Sequence, residues 1–127
     1  MEQKESQEQI QLIQWCRQFP WGQFLFHIAN ESVGGYGWMI RNRQMGIRKG
    51  VPDLFLPVPM KGYYGLFIEM KAPKGRLSHE QGQWLKALDT FGYKVAVCKG
   101  FEEAKTVLEG YMANGTAEET KMRNIQG

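Results

Sequence analysis

Val51-Pro52-Asp53-Leu54-Phe55-Leu56-Pro57-Val58-Pro59-Met60-Lys61-Gly62-Tyr63-Tyr64-Gly65-Leu66-Phe67-Ile68-Glu69-Met70-Lys71 is the stretch on which the fold turns. Residues 53–58 read as a short apolar strand, ended or held at an edge by Pro57 and Pro59. Lys61 and Gly62 mark a hairpin turn. Residues 64–71 read as a second, stronger strand, in which Leu66, Ile68 and Met70 alternate with Phe67, Glu69 and Lys71. Residues two apart on a strand share a face, so Glu69 and Lys71 point the same way. Asp53 lies 16 residues before Glu69. That is room for two adjacent antiparallel strands and their turn, with Asp53 beside the other two.

Two carboxylates and one ammonium converging at a strand end suit phosphodiester hydrolysis. Hard oxygen donors hold a divalent ion while leaving positions for water and phosphate. The ion polarises the phosphate and makes water more acidic. The lysine orients or deprotonates that water, or offsets charge as the phosphorane forms. A Pro-Asp at a strand start and a Glu-x-Lys on a strand are each common as ordinary surface features. Their combination is less so, because Glu69 sits among Leu66, Phe67, Ile68 and Met70, where an unpaired charge is costly.

Working outward, residues 2–19 read as a helix with Ile10, Leu12, Ile13, Trp15, Cys16 and Phe19 at three- and four-residue steps. Pro20 and Gly22 end it. Residues 23–28 read as a strand, residues 30–37 as a glycine-rich loop, and residues 38–45 as a short basic helix stopped by Gly46. After Lys71, residues 78–90 read as a helix with Ser78 as N-cap and Gln81 in the capping-box position. Residues 93–98 read as a strand and residues 101–112 as a last helix. A strand pair followed by helix, strand and helix predicts an α/β fold, a mixed sheet flanked by helices. All 127 residues fit one domain, with a core over about 5–112 and a polar tail over 115–127.

The net charge of +3 says little alone. Its distribution says more: Arg41, Arg43, Arg48 and Lys49 form one group, and Lys74 and Arg76 follow Lys71. Cys16 and Cys98 lie in no Cys-x-x-Cys or Cys/His pattern, which argues against zinc and for buried free thiols. The polar, acidic start is unlike a signal peptide. The longest uncharged run, 18–30, is short of the ~20 apolar residues a membrane helix needs. A soluble, cytoplasmic protein is expected.

Three segments in order carry a resemblance: Gly46-Ile47-Arg48-Lys49-Gly50-Val51-Pro52-Asp53, then Phe67-Ile68-Glu69-Met70-Lys71, then Leu77-Ser78-His79-Glu80-Gln81. Together they resemble the VRR-NUC branch of the PD-(D/E)xK nucleases, over about residues 5–112. The resemblance implies a restriction-endonuclease-like fold and structure-directed, Mg²⁺- or Mn²⁺-dependent cleavage of DNA. It implies Asp53 and Glu69 as metal ligands with the Met70 carbonyl, Lys71 as the catalytic lysine, and Gln81 orienting water or phosphate. The family also has a glutamate on its first helix. Glu8 fits that place, with Glu5 as competitor.

His27 and Asn30 resemble a His-x-x-Asn of phage members, although a lone His in an apolar strand reads first as a core residue. Tyr36 and Trp38 can stack on bases, but core packing is the expectation. Arg41, Arg43, Arg48, Lys49, Lys74 and Arg76 border a site for a polyanion and are expected to touch phosphate, reading DNA shape rather than sequence. The stand-alone members resemble Holliday-junction resolvases, which implies a two-fold homodimer on branched DNA. Trp15, Phe19, Trp21 and Phe24 either form its interface or fill the core.

Overall fold

A computed structural model describes residues 3–29 and 35–113. Asn30 and the 115–127 tail of the sequence reading lie outside these. The elements run α1 (Gln3–Cys16), a 3-10 turn (Trp21–Phe24), β1 (Phe26–His27), α2 (Tyr36–Gln44), β2 (Leu54–Leu56), β3 (Leu66–Lys71), α3 (His79–Thr90), β4 (Lys94–Lys99) and α4 (Phe101–Met112). The four strands form one mixed sheet in the order β1-β2-β3-β4. β2 pairs antiparallel with β1 and β3, and β3 pairs parallel with β4. This is the α/β sheet flanked by helices that the sequence predicts.

The alternation within β3 decides the layering. Leu66, Ile68 and Met70 face one way, where they join Leu54, Leu56 and Cys98 under Leu12 and Cys16 of α1 and Phe101, Ala104 and Leu108 of α4. Burying a side chain of this kind contributes roughly 1.5–3 kcal/mol. The opposite face carries Phe55 against Phe67, stacked at 4.3 Å, with Tyr93 and Phe26 packed edge-on around them. Leu85 and Leu88 of α3 are buried outside the main core. Both thiols are buried and free, and burial pushes each up to about 12, which leaves them unreactive.

Four local expectations change. Ile10 is 56% exposed. The inward stripe of α1 runs instead through positions 5, 8, 12 and 16, at helical spacing, and its first half is acidic. The strand expected over 23–28 shrinks to Phe26–His27, because Pro20 opens a 3-10 turn at φ −55°, ψ −45°. Gly22 in that turn lies so close to the chain that a Cβ would stand 1.9 Å from the Cys16 carbonyl oxygen. Trp15 packs edge-on against Phe19, Trp21 and Phe101, and Phe19 stacks on Trp21, so of the four aromatics offered for an interface only Phe24 stays exposed. Tyr36 and Trp38 do not enter the core: no residue of α2 is buried.

The turn at Lys61-Gly62 is present. Both residues have positive φ, 54° and 86°, as a two-residue hairpin turn of the right twist requires. The Lys61 ammonium donates to the carbonyls of Gly110, Tyr111 and Ala113. It thereby caps the negative end of α4.

Candidate active site

The register of β2 on β3 builds the site. Leu54 stands opposite Ile68, so the next position back sets Asp53 opposite Glu69. Antiparallel partners share a face, so Asp53, Glu69 and Lys71 lie together at the charged end of the aromatic face. Asp53 Oδ2 accepts the Met70 N–H at 2.8 Å. Its backbone carbonyl accepts the Ile28 N–H at 2.7 Å and stands 2.9 Å from His27 Nδ1. His27 thus touches the main chain of Asp53, on the edge of the site.

Glu69 is only 3% exposed. The Lys71 ammonium is 3.6 Å from Glu69 Oε2, and Gln81 Nε2 donates to the same oxygen at 3.2 Å. Burial is the main reason that the Glu69 carboxyl is pushed up, to about 8, and the neighbouring Asp53 charge and hydrogen bond add to it. Burial also raises Asp53, against the pull of the Met70 N–H. Two carboxyls in one buried place cannot both ionise cheaply. Without a cation, the repulsion is relieved when the pair shares a proton, in keeping with the upward push on both carboxyls. A divalent cation would let both ionise, so this donor set fits one: two hard carboxylates beside a lysine. Among the described residues no third His, Cys, Asp or Glu joins them.

α3 is fastened to this pair at its first turn. Ser78 Oγ accepts the Gln81 N–H at 3.1 Å and Gln81 Oε1 accepts the Ser78 N–H at 2.9 Å. One Gln81 amide therefore completes the capping box with its oxygen and holds Glu69 with its nitrogen. The loop before β2 is pinned to the same turn. Gly50 has φ +95°, and a Cβ there would stand 2.7–2.9 Å from Glu80 and the Gln81 nitrogen. Sequence reasoning missed this clasp; its signal is the glycine between Arg48-Lys49 and Val51-Pro52-Asp53.

The helix glutamates part company. Glu8 Oε2 accepts the Phe101 N–H at 3.1 Å and sits at the start of α4, which suits a carboxylate at a helix N-terminus. Glu5 Oε1 accepts the Ala72 N–H at 3.1 Å, one residue beyond Lys71. The structure therefore brings Glu5 to the lysine end of β3 and leaves Glu8 as a cap. Met70 is buried in β3. Of the cationic residues, Arg41 and Arg43 end α2, Arg48 lies 5.7 Å over the Trp84 ring, and Lys49, Lys74 and Arg76 are exposed in the loops on either side of the site.

The sequence profile of the VRR-NUC domain matches residues 3–102. A solved structure described as a VRR_NUC domain protein superposes with a TM-score of 0.78 at 22% identity, covering 91% of this chain and 93% of that one. At that identity the likeness speaks for the fold. No curated protein matches the chain. No helix among the described residues is long and apolar enough to cross a membrane.

Proposed function

The chain belongs to the VRR-NUC family of PD-(D/E)xK nuclease domains, and from that premise we propose that it is a divalent-metal-dependent DNA endonuclease that hydrolyses phosphodiester bonds. The observation that carries this reading is the meeting of Asp53, Glu69, Lys71 and Gln81 at one end of the sheet. Packing alone does not call for two carboxyls, an amine and an amide in one buried corner.

Asp53 and Glu69 would hold Mg²⁺ or Mn²⁺, with the Met70 carbonyl as a further oxygen. Such an ion supplies Lewis acidity to the phosphate and to the attacking water. Lys71 places its positive charge beside Glu69, where it orients the nucleophile and offsets charge developing on the phosphoryl oxygens. Gln81 fixes the Glu69 carboxylate and lies on the approach to it. Glu5, rather than Glu8, takes the place of the first-helix carboxylate in this reading, because it reaches the backbone next to Lys71. Arg41, Arg43, Arg48, Lys49, Lys74 and Arg76 steady the DNA backbone on either side, as phosphate contacts that fix position without reading bases.

A symmetric pair of chains acting on branched DNA is the finer form of the proposal. One chain carries one site and cuts one strand, and a two-fold substrate needs two. The test is incubation with labelled linear, flapped and four-way DNA, with and without Mg²⁺ or Mn²⁺, alongside light scattering. Cleavage only with metal is expected, with preference for branched DNA by a dimer. No cleavage of any DNA with either metal would overturn the nuclease reading. A monomer that cuts all three alike would remove only the paired, branch-seeking part.

A further inference from the structure

Helix α2 is the described element that the catalytic corner leaves without work. Its nine residues include none that is buried; Tyr36 is 75% exposed and Trp38 56% exposed, and Met39 and Ile40 also face solvent. A helix this short is not held by propensity, and helices normally gain their stability from an apolar face laid on the body. α2 has the apolar side chains, and among the described residues none of them is buried.

Its position is fixed from its C-terminal side. Gly46, at φ +95°, closes the helix, with Ile47 N–H donating to the Asn42 carbonyl at 2.9 Å. Two residues on, Arg48 lies over Trp84, and Gly50 seats on the first turn of α3. Gln44 is four residues from Arg48, a span of at most ~14 Å. α2 is therefore tethered at the rim of the site.

Charge decides what covers it. Residues 32–52 hold four cationic side chains and no acidic one. A two-fold contact through this helix would set the patch against its own copy, cation on cation. A polyanion complements it. Among polyanions, one with exposed flat rings suits the aromatics, and unpaired bases offer such faces whereas duplex bases hide theirs in the stack. Trp38 and Arg41 are three apart and so neighbours on one flank of the helix, a ring beside a phosphate-binding charge. We propose that α2 is a stacking surface for unpaired DNA bases beside the scissile strand, with Trp38 as its main plane, Tyr36 as a second, and Arg41 and Arg43 holding the flanking phosphates. It gives the enzyme a preference for DNA with a single-stranded segment at the branch. The inference takes its substrate from the nuclease reading.

The test compares binding, without cleavage, in EDTA. The probes are a blunt duplex and the same duplex with a single-stranded flap carrying 2-aminopurine. The wild type should bind the flap more tightly and change its fluorescence. Trp38→Ala combined with Tyr36→Ala should weaken flap binding about 10-fold, as expected for lost base stacking, with duplex affinity little changed. Trp38→Phe should keep most of the preference. The melting temperature should stay at the wild-type value, because nothing buried is removed. An unchanged flap-to-duplex ratio in the double variant would overturn the proposal. So would loss of self-association in light scattering with the ratio intact, which would make α2 a contact between copies. A wild type that cuts with metal yet binds both probes equally would sink this inference and leave the nuclease standing. A flap preference lost in the variant, with no metal-dependent cutting by the wild type, would support the stacking surface and sink the nuclease reading.

Discussion

The two sides of β3 are made from alternate residues of one six-residue strand, and they have opposite physics. Leu66, Ile68 and Met70 are buried among apolar side chains of two helices, where an unpaired polar group would be a cost. Phe67, Glu69 and Lys71 face the other way, and the outer two-thirds of that row is charged. The dry side stabilises the strand. The other side holds a carboxyl that burial and a neighbouring acid push toward its neutral form. A strand anchored on one face can hold reactive groups in an unfavourable place on the other, and this pairing of anchor and reagent is what the site consists of.

The comparison breaks most sharply if charge on the reactive side proves dispensable. Asp53→Asn and Glu69→Gln should each lower metal-dependent cleavage by about 10³-fold or more, the several kcal/mol a metal ligand contributes, while the circular dichroism spectrum is unchanged. Normal single-turnover rates in either variant would remove the site from this corner. On the dry side the reverse is expected. Ile68→Ala should cost about 2–5 kcal/mol of stability through the cavity it leaves, measured by urea denaturation, yet cleave at near the wild-type rate well below its melting temperature. A large loss of rate in a folded Ile68→Ala protein would show that the two faces are not separable.

Lys71→Ala should reduce the cleavage rate by about 10²-fold or more, read at a temperature where the variant stays folded, because its side chain is only 14% exposed beside the buried Glu69. A wild-type rate would make Lys71 a mere neighbour of Glu69. The smallest effect concerns pH. The Glu69 carboxyl is raised from 4.5 to about 8 in the folded chain, so its proton favours the fold below about pH 4.5, and that contribution is lost as pH rises through 8. Without metal, Glu69→Gln should melt above the wild type at pH 8 by on the order of 5 °C, allowing for solvent at the mouth of the site, and match it near pH 4. Mg²⁺ should raise the wild type at pH 8 and leave the variant where it is. Equal melting curves at both pH values would mean that Glu69 ionises freely.

The central strands, α3 and its cap, and α4 were legible because each is specified locally: alternation for β3, Ser78 and Gln81 for the start of α3, a helical stripe for α4. The pairing of Asp53 with Glu69 followed from hairpin spacing. What escaped depends on distant parts of the chain. Glu5 and Glu8 lie on one inward stripe three residues apart, and no local signal says which one faces Lys71. The answer depends on where the start of α4 lands, 93 residues beyond Glu8. Ile10 faces solvent because that stripe passes it by. β1 is short because the chain tightens at Pro20 before it can extend. Tyr36 and Trp38 look like core residues to any count of hydrophobicity, and only their exposure on α2 shows otherwise.

Gln81 has a consequence of its own for what can occupy that position. Its side-chain oxygen faces the Ser78 N–H and its nitrogen faces Glu69, so the amide has one permitted orientation: a flip would point donor at donor and acceptor at acceptor. For the helix end, glutamate would serve as well as glutamine, since either offers an oxygen to the N-cap. Toward Glu69 the two are opposites, because a carboxylate would add a third acid to a corner already reluctant to ionise two. The residue is therefore chosen by chemistry more narrowly than by folding, and the difference between one nitrogen and one oxygen carries that choice.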